Sequence, residues 1–182
     1  MFCILKAKIT SYPKLTNSFR NMTILYHGST TIIQKPEILE KQRLLDFGKG
    51  FYTTENKEQA ERWAKIKQTR EGKSSKAYVT VYKFDRSEKT MFSILEFTQA
   101  NEEWLDFIVK NRNEDYNHGY HLVTGPVAND TLYQTLNLYE TGILTKAETI
   151  ARLKVHRLFN QISFHTTQAL EFLHFEKAYE VV

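Results

Sequence analysis

The sequence contains little of several residue types, and each shortage excludes a class of protein. A single cysteine, Cys3, among 182 residues excludes an internal disulfide framework and a cysteine-built zinc site. Proline is scarce at 3, while 12 phenylalanines and 10 tyrosines argue against a disordered chain. No apolar run approaches the roughly 18 residues of a membrane span, and the N-terminus does not read as a signal peptide. We therefore expect a cytoplasmic protein with no membrane partner.

Excess charge is also absent once the N-terminus is set aside. The net charge is +4, with 25 basic and 21 acidic residues. Residues 1–21 hold four of the basic residues and no acidic one, so residues 22–182 are neutral. Net charge therefore gives no argument for nucleic-acid binding. We interpret residues 1–21 as a basic N-terminal extension and residues 22–182 as a single domain.

Hydrophobic periodicity predicts strands and helices that interleave without a regular βαβ rhythm. Asn56 with Gln59, and Thr145 with Glu148, have the spacing of helix N-terminal capping boxes. Strands are predicted over 23–26, closed by a turn at 27–29, and over 77–84, 120–124, 161–165 and 178–182. Helices are predicted from about 57 for four turns and over 101–111, 131–140, 145–158 and 167–172. This order favours an α+β domain with mainly antiparallel strands.

Two short segments have compositions that suit a ligand site. His27-Gly28-Ser29 offers an imidazole, a backbone open to close approach and a hydroxyl within one turn. The segment 46–54, Asp-Phe-Gly-Lys-Gly-Phe-Tyr-Thr-Thr, sets two glycines beside three aromatic rings. Taken singly, each segment is more often a surface turn or a glycine-rich hairpin. No P-loop, dinucleotide glycine fingerprint, Ser/His/Asp order or zinc spacing is present.

Together these segments resemble the ADP-ribosyltransferase superfamily, in its diphtheria-toxin and poly(ADP-ribose) polymerase branch. That branch has a His-Gly-Ser turn, then a Gly-x-Gly-x-Tyr segment followed by a capped helix, as in 27–29, 48–52 and 56–63. More closely, the chain resembles a bacterial family of unestablished function within that superfamily. The segments that carry this likeness are 46–52, 125–130 and 160–166. The resemblance implies split antiparallel sheets with flanking helices around an NAD cleft.

The resemblance also implies roles for individual residues, with NAD as substrate and no metal. His27 would bind the hydroxyls of the adenosine-side ribose, the backbone of Gly28 would bind the nicotinamide carboxamide, and Ser29 would support the ribose. Tyr52 would stack on the cationic nicotinamide ring and contribute to catalysis. Beside it, Gly50 and Phe51 would line the cleft and exclude water.

The position that carries catalytic charge departs from the superfamily pattern. In the superfamily, a glutamate on a later strand usually holds the ribose 2′-hydroxyl and stabilises the ribosyl cation. Judged by the order of the segments along the chain, Gln161 stands at the position of that glutamate. Gln161 can support a slower or different transfer, or another carboxylate such as Asp130 or Asp46 supplies the charge. The third alternative is a cleft that binds NAD or ADP-ribose without turnover.

Two further residues have both a structural and a functional interpretation. Asn129 or Asp130 is well placed to cap the following helix, and a role of this segment at the rim of the cleft stays open. Arg112 ends an amphipathic helix, where a basic side chain is favourable in any case. Its planar guanidinium also suits a pyrophosphate, and we include it among the NAD-binding candidates.

The function that the resemblance implies is mono-ADP-ribosyl transfer from NAD to a macromolecular acceptor, protein or nucleic acid. A bacterial toxin or conflict-system effector, with an antitoxin protein as partner, would suit such an enzyme. The alternatives are a non-catalytic NAD or ADP-ribose-binding module and an NAD glycohydrolase. A third class is a protein in which both motifs only turn and pack.

Overall fold

A computed structural model describes residues 22–39, 45–72, 74–85, 91–113, 116–127, 130–154 and 159–182. The predicted basic extension, residues 1–21, lies outside these residues. Seven strands are found within the described ranges: β1 (Met22–Ser29), β2 (Phe51–Thr54), β3 (Tyr78–Asp85), β4 (Ile94–Glu96), β5 (Leu122–Val127), β6 (Phe159–Phe164) and β7 (Leu173–Glu180). Five helices accompany them there: α1 (Lys57–Glu71), α2 (Glu102–Asn113), α3 (Asp130–Glu140), α4 (Lys146–Lys154) and α5 (Thr167–Leu170). The predicted α+β class is confirmed.

The strands form one sheet in the order β4-β5-β6-β2-β1-β3-β7. Neighbouring strands are antiparallel except for β4 and β5, which are parallel. The contact between β1 and β2 consists of the single pair Tyr26–Thr54, whereas β1 pairs with β3 along all eight of its residues. The expected two sheets are therefore one sheet in this structure, joined at its centre by one residue pair. Because β1 and β2 share so little of a ladder, the sheet opens there.

Three predicted strand limits were wrong: β1 and β5 extend three residues further than predicted, and β7 begins at Leu173, five residues before the predicted start. His27-Gly28-Ser29 is not a turn, because all three residues continue β1 in register with Thr80, Val79 and Tyr78. Strand β5 likewise runs through Gly125 and Pro126, which were expected to end it. Strand β4 was not predicted at all. In each case pairing with neighbouring strands overrides the local composition.

The helix starts follow the predicted capping signals. The Asn56 side chain accepts a hydrogen bond from Gln59 N at 2.7 Å and so caps α1. Thr145 N donates to the Glu148 carboxylate at 2.8 Å, and Glu148 N donates back to Thr145 Oγ at 3.3 Å, which completes the second box. Residues 128–129, and with them the predicted Asn129 cap, lie outside the described residues. Helix α3 begins at Asp130.

The core consists of three apolar clusters that hold the helices against the sheet. Trp104, Leu105 and Ile108 of α2 are fully buried and pack with residues of β5, α3 and α4. A second cluster lies around Leu25, Tyr82 and Phe164 on β1, β3 and β6. In the third, small residues of α1 pack on β1 and β3, which brings this helix close to the opening in the sheet. None of the helices within the described ranges has the length and apolarity that crossing a membrane requires.

Candidate active site

A cleft of about 490 Å³ lies where β1 and β2 separate, a volume within the usual range for small-molecule sites. Its walls come from β1, β2, β6, helix α1 and the segment before β2, with single residues from α2 and α3. The lining residues are Tyr26, His27, Gly28, Leu45, Asp46, Tyr52, Thr53, Thr54, Gln59, Ala60, Trp63, Lys67, Arg70, Arg112, Gln134 and Gln161. The cleft thus brings together His27, Gly28, Tyr52, Arg112 and Gln161 from distant parts of the sequence.

His27 lies on β1 with its ring in a fixed orientation and a fixed tautomer. Its Nδ1 is 2.6 Å from the carbonyl oxygen of Tyr52, which can only accept, so Nδ1 carries the proton and donates. The ring stacks on Phe51 with 4.4 Å between ring centroids. Burial and the positive charge of Lys67 lower the pKa of His27 to about 3, against the hydrogen bond to Tyr52. His27 is therefore neutral near pH 7, and its Nε2 is an acceptor.

Gly28 follows directly on β1, and the close approach of helix α1 requires a glycine there. A Cβ atom at this position would lie 2.0 Å from the carbonyl oxygen of Ala60 and 2.8 Å from the amide nitrogen of Ala64. The sequence had suggested that glycine lets a ligand approach the backbone. The space that a side chain would fill is instead occupied by the backbone of α1, so Gly28 fixes the distance between this helix and the sheet.

The Tyr52 ring is held by hydrogen bonds from its hydroxyl to the segment before β2. The hydroxyl donates to Gly48 O at 2.5 Å and accepts from Phe47 N at 3.2 Å. Burial, together with the negative charge of Asp46, raises the pKa of the Tyr52 phenol well above its usual value. The ring is also nearly parallel to that of Phe47, with 6.5 Å between ring centroids. Tyr52 is therefore a rigid, neutral aromatic wall of the cleft.

Three consecutive carbonyl oxygens, those of residues 47–49, each accept a hydrogen bond from a different side chain. In chain order the donors are His118 Nε2 at 3.2 Å, the Tyr52 hydroxyl at 2.5 Å and His165 Nδ1 at 2.7 Å. We call these three side chains the carbonyl clamp. Since the clamp fixes residues 47–49, it also fixes where Asp46 and Tyr52 enter the cleft.

The two histidines of the clamp are in contact and are kept neutral. His118 Nδ1 accepts from Tyr120 N at 3.1 Å, so only its Nε2 carries a proton. The ring centroids of His118 and His165 lie 4.5 Å apart. Burial lowers the pKa of both, that of His165 to about 4 with a further contribution from His118. In the part of the chain that the structure describes, no group of three His, Cys, Asp or Glu residues is arranged to hold a metal ion.

Three of the predicted NAD-binding residues support the cleft without lining it. The Ser29 hydroxyl donates to Thr31 O within its own segment. A Cβ at Gly50 would lie 2.8 Å from His165 Nδ1, so this glycine leaves room for the clamp. Phe51 is buried and provides the surface on which His27 stacks.

Of the residues considered for charge, Gln161 and Asp46 line the cleft. Gln161 lies on β6 opposite Thr54 of β2 and Gly125 of β5. Among the described residues that line the cleft, Asp46 is the one with a carboxylate side chain. The side chain of Asp130 lies outside what the structure describes. The Arg112 guanidinium lines the cleft as well, but its Nε is 3.6 Å from the Glu140 carboxylate, which offsets its charge.

Helix α1 contributes a row of lining residues that the sequence analysis did not assign to the site. Trp63, Lys67 and Arg70 follow one another at spacings of four and three, which places them on one helix face. The spacing could have been found from the sequence. Which face looks into the cleft could not, because that depends on the contact between Ala60 and Gly28.

A family model described as "Protein of unknown function (DUF3990)" matches residues 23–175 of the chain. It therefore covers β1 to β6, α1 to α5 and the first part of β7, and includes every cleft residue named above. A search of curated proteins found no match.

Proposed function

We propose that this chain, which belongs to the DUF3990 family, binds NAD in the cleft and transfers ADP-ribose to a macromolecular acceptor. The observation that carries the proposal is the meeting of His27, Tyr52 and Gln161 around one cleft. These residues come from three separate segments of the sequence, each of which resembles a part of an NAD site. A protein in which the motifs only turn and pack would have no need to bring them to a common cavity.

The nicotinamide end of NAD fits the part of the cleft between β2 and α1. Tyr52 and Trp63 both line it, and aromatic faces attract a cationic pyridinium ring. Because the Tyr52 ring lies nearly parallel to that of Phe47, it needs no reordering when a ligand arrives. The backbone of Gly28 lines the same cleft and can offer a donor and an acceptor to the carboxamide.

A ribose of NAD fits next to His27. The neutral imidazole presents Nε2 as an acceptor, and a ribose hydroxyl is a suitable donor. A protonated histidine would have no acceptor to offer, so the low pKa suits this role. Phe51 beneath the ring and Tyr52 O at Nδ1 keep His27 in place.

The reaction breaks the bond between the anomeric carbon of the ribose and the nicotinamide nitrogen. Nicotinamide leaves with the electron pair of the broken bond, and the ribose acquires oxocarbenium character. An acceptor nucleophile then donates its electron pair to the same carbon and releases its proton to solvent. A fixed negative charge near the ribose favours this transition state. The Gln161 amide can orient the 2′-hydroxyl, and Asp46 is the described carboxylate in the cleft that can supply charge.

The second candidate function is a non-catalytic NAD or ADP-ribose-binding module. The identity of Gln161 favours this function. A neutral amide can make the hydrogen bond to a ribose hydroxyl, but it lacks the negative charge that would stabilise a ribosyl cation. NAD glycohydrolysis, with water as acceptor, is the same chemistry without a macromolecule. A toxin or conflict-system role with an antitoxin partner belongs to the transferase proposal and depends on the acceptor.

Incubation with labelled NAD and bacterial lysate separates these functions. Label on protein or nucleic acid together with nicotinamide release supports the transferase, and nicotinamide release alone supports the glycohydrolase. Tight NAD binding measured by calorimetry, with neither label nor release, supports the binding module. If wild type shows no binding, no label and no release, the NAD proposal is wrong.

The substitution Gln161→Glu tests whether this position lacks only a charge. If Gln161 lies beside the ribose 2′-hydroxyl, the added carboxylate should raise the rate of nicotinamide release by roughly 10²-fold, a typical effect of one preorganised electrostatic group. Gln168→Glu is the matched control, because it adds the same charge on an exposed position of α5. Equal rates for wild type and Gln161→Glu would place the catalytic carboxylate elsewhere, with Asp46→Asn as the next variant.

A further inference from the structure

Lys67 of helix α1 is a cation inside the cleft, and no ion pair with another described residue compensates its charge. Its side chain is partly buried and lines the cavity. Within the described residues, no carboxylate oxygen lies within 4 Å of its ammonium group. Glu71, one turn further along α1, counteracts only part of the effect of burial, which lowers the pKa of Lys67. Desolvated charges in folded proteins are normally paired, so an unpaired one that faces a cavity indicates an anionic ligand.

Arg70 adds a second cation to the same face, one turn beyond Lys67. Arg112, the third basic residue of the lining, is already close to Glu140. Among the described lining residues, the positive charge that a ligand can use is therefore concentrated on α1. Its position is well fixed, because the helix meets the sheet at Gly28 with its backbone in contact.

The aromatic part of the cleft is continuous with these cations. Trp63 lies one turn before Lys67 on the same helix face, and Tyr52 lines the same cavity from β2. Lys67 is also near enough to His27 for its charge to lower the pKa of that imidazole. A ligand in this cleft can therefore contact aromatic rings and two cations at once. This combination suits a nucleotide, which joins a planar base to phosphate groups.

We propose that Lys67 and Arg70 form a subsite for the phosphate groups of the ligand, so that the cleft takes a nucleoside diphosphate moiety. The identification of that moiety as part of NAD rests on the proposed function, whereas the anion site rests on the cleft alone. Lysine acts here as a point charge toward phosphate oxygens, and the exposed Arg70 can add a bidentate contact.

Calorimetry with inorganic pyrophosphate and with ADP tests the subsite directly. Wild type should bind both, and Lys67→Gln should weaken ADP binding at least tenfold. Lys67→Arg should retain most of the affinity, because the charge stays. The matched control is Lys65→Gln on the exposed side of the same helix, which should change the dissociation constant less than twofold. Equal ADP affinity for wild type and Lys67→Gln, or no binding of either probe to wild type, overturns the subsite.

Thermal unfolding without ligand distinguishes a binding residue from a structural one. Removal of an unpaired, partly buried cation should leave the midpoint of Lys67→Gln unchanged or raise it, although phosphate binding is lost. If Lys67→Gln unfolds several degrees below wild type, Arg70→Gln is the variant to use in the binding test. Arg70 is exposed, so its removal should weaken ADP binding without loss of stability. Unchanged ADP affinity in Arg70→Gln as well would overturn the proposal.

The same variants separate this subsite from the proposed transferase. Lys67-dependent ADP binding without nicotinamide release from NAD supports the subsite and contradicts the enzyme. Nicotinamide release with a KM for NAD that Lys67→Gln leaves unchanged supports the enzyme and contradicts the subsite.

Discussion

Gly28→Ala should destabilise the protein through a single methyl group. The added Cβ would lie 2.0 Å from Ala60 O, whereas ordinary contact begins at 3.4 Å, so α1 would have to retreat by about 1.4 Å. The neighbouring atoms belong to the helix backbone and cannot rotate away. Overpacking of this kind costs typically 1–3 kcal/mol, and the rigid neighbour places Gly28→Ala at about 3 kcal/mol. For a chain of this size the corresponding fall in Tm is roughly 6–12 °C.

Denaturant unfolding measures this cost as a lower midpoint with an unchanged slope. Gly142→Ala is the control. Gly142 has a φ of 75°, and no atom lies within 4 Å of the position that the new methyl group would take. Only backbone strain of about 1 kcal/mol is therefore expected. A loss below about 1 kcal/mol for Gly28→Ala would refute the close approach of α1 to β1. A loss near 3 kcal/mol would mean that Gly28 is needed for packing even in a protein without ligand.

Two further predictions concern the carbonyl clamp. Tyr52→Phe keeps the ring but leaves Gly48 O and Phe47 N without their hydroxyl partner; unfolding by denaturant should show a loss of about 1–3 kcal/mol, while NAD affinity by calorimetry changes little. If Tyr52→Phe binds NAD more weakly than wild type, Tyr52 does more than stack on the ligand. The second prediction concerns His165, whose pKa falls from 6.5 to about 4 in the folded protein. Between pH 6.5 and 4 the unfolded chain therefore binds one more proton at this residue than the folded protein does. As the pH is lowered through that range, the contribution of His165 to the free energy of unfolding should fall by about 1.4 kcal/mol per pH unit. His165→Gln should remove that part of the slope; an unchanged slope would show that His165 is not buried neutral.

The local elements could be predicted where a few adjacent residues determine them. Asn56 and Thr145 start helices because their side chains satisfy amide groups three residues on. Strand β5 was predicted too short because Pro126 reads as a break. It is tolerated because β4 pairs only with residues 122–124, so the missing amide proton of Pro126 costs no bond on that side of the sheet.

Some of the cleft residues were predictable, but the side chains that hold them in place were not. His27, Gly28 and Tyr52 belong to short motifs that can be recognised in any fold. The clamp joins residues 47–49 to His118 and His165, which lie 71 and 116 positions away, and nothing local marks such a pair. Lys67 presents the same difficulty. The spacing of Lys67 and its neighbours predicts a helix face, but only the contact between α1 and Gly28 determines that this face lies toward the cleft.

The charges of the cleft link binding to turnover. During the proposed reaction positive charge moves from nicotinamide to the attached ribose, within a cleft that Lys67 also lines. An uncompensated lysine would oppose that step by Coulomb repulsion. A phosphate bound to Lys67 cancels this opposition, so the anion would lower the barrier as well as hold the substrate. Since Gln161 brings no charge of its own, the phosphates would add to the negative charge that Asp46 contributes to the described part of the cleft wall. A nicotinamide riboside without phosphate should therefore lose turnover as well as affinity.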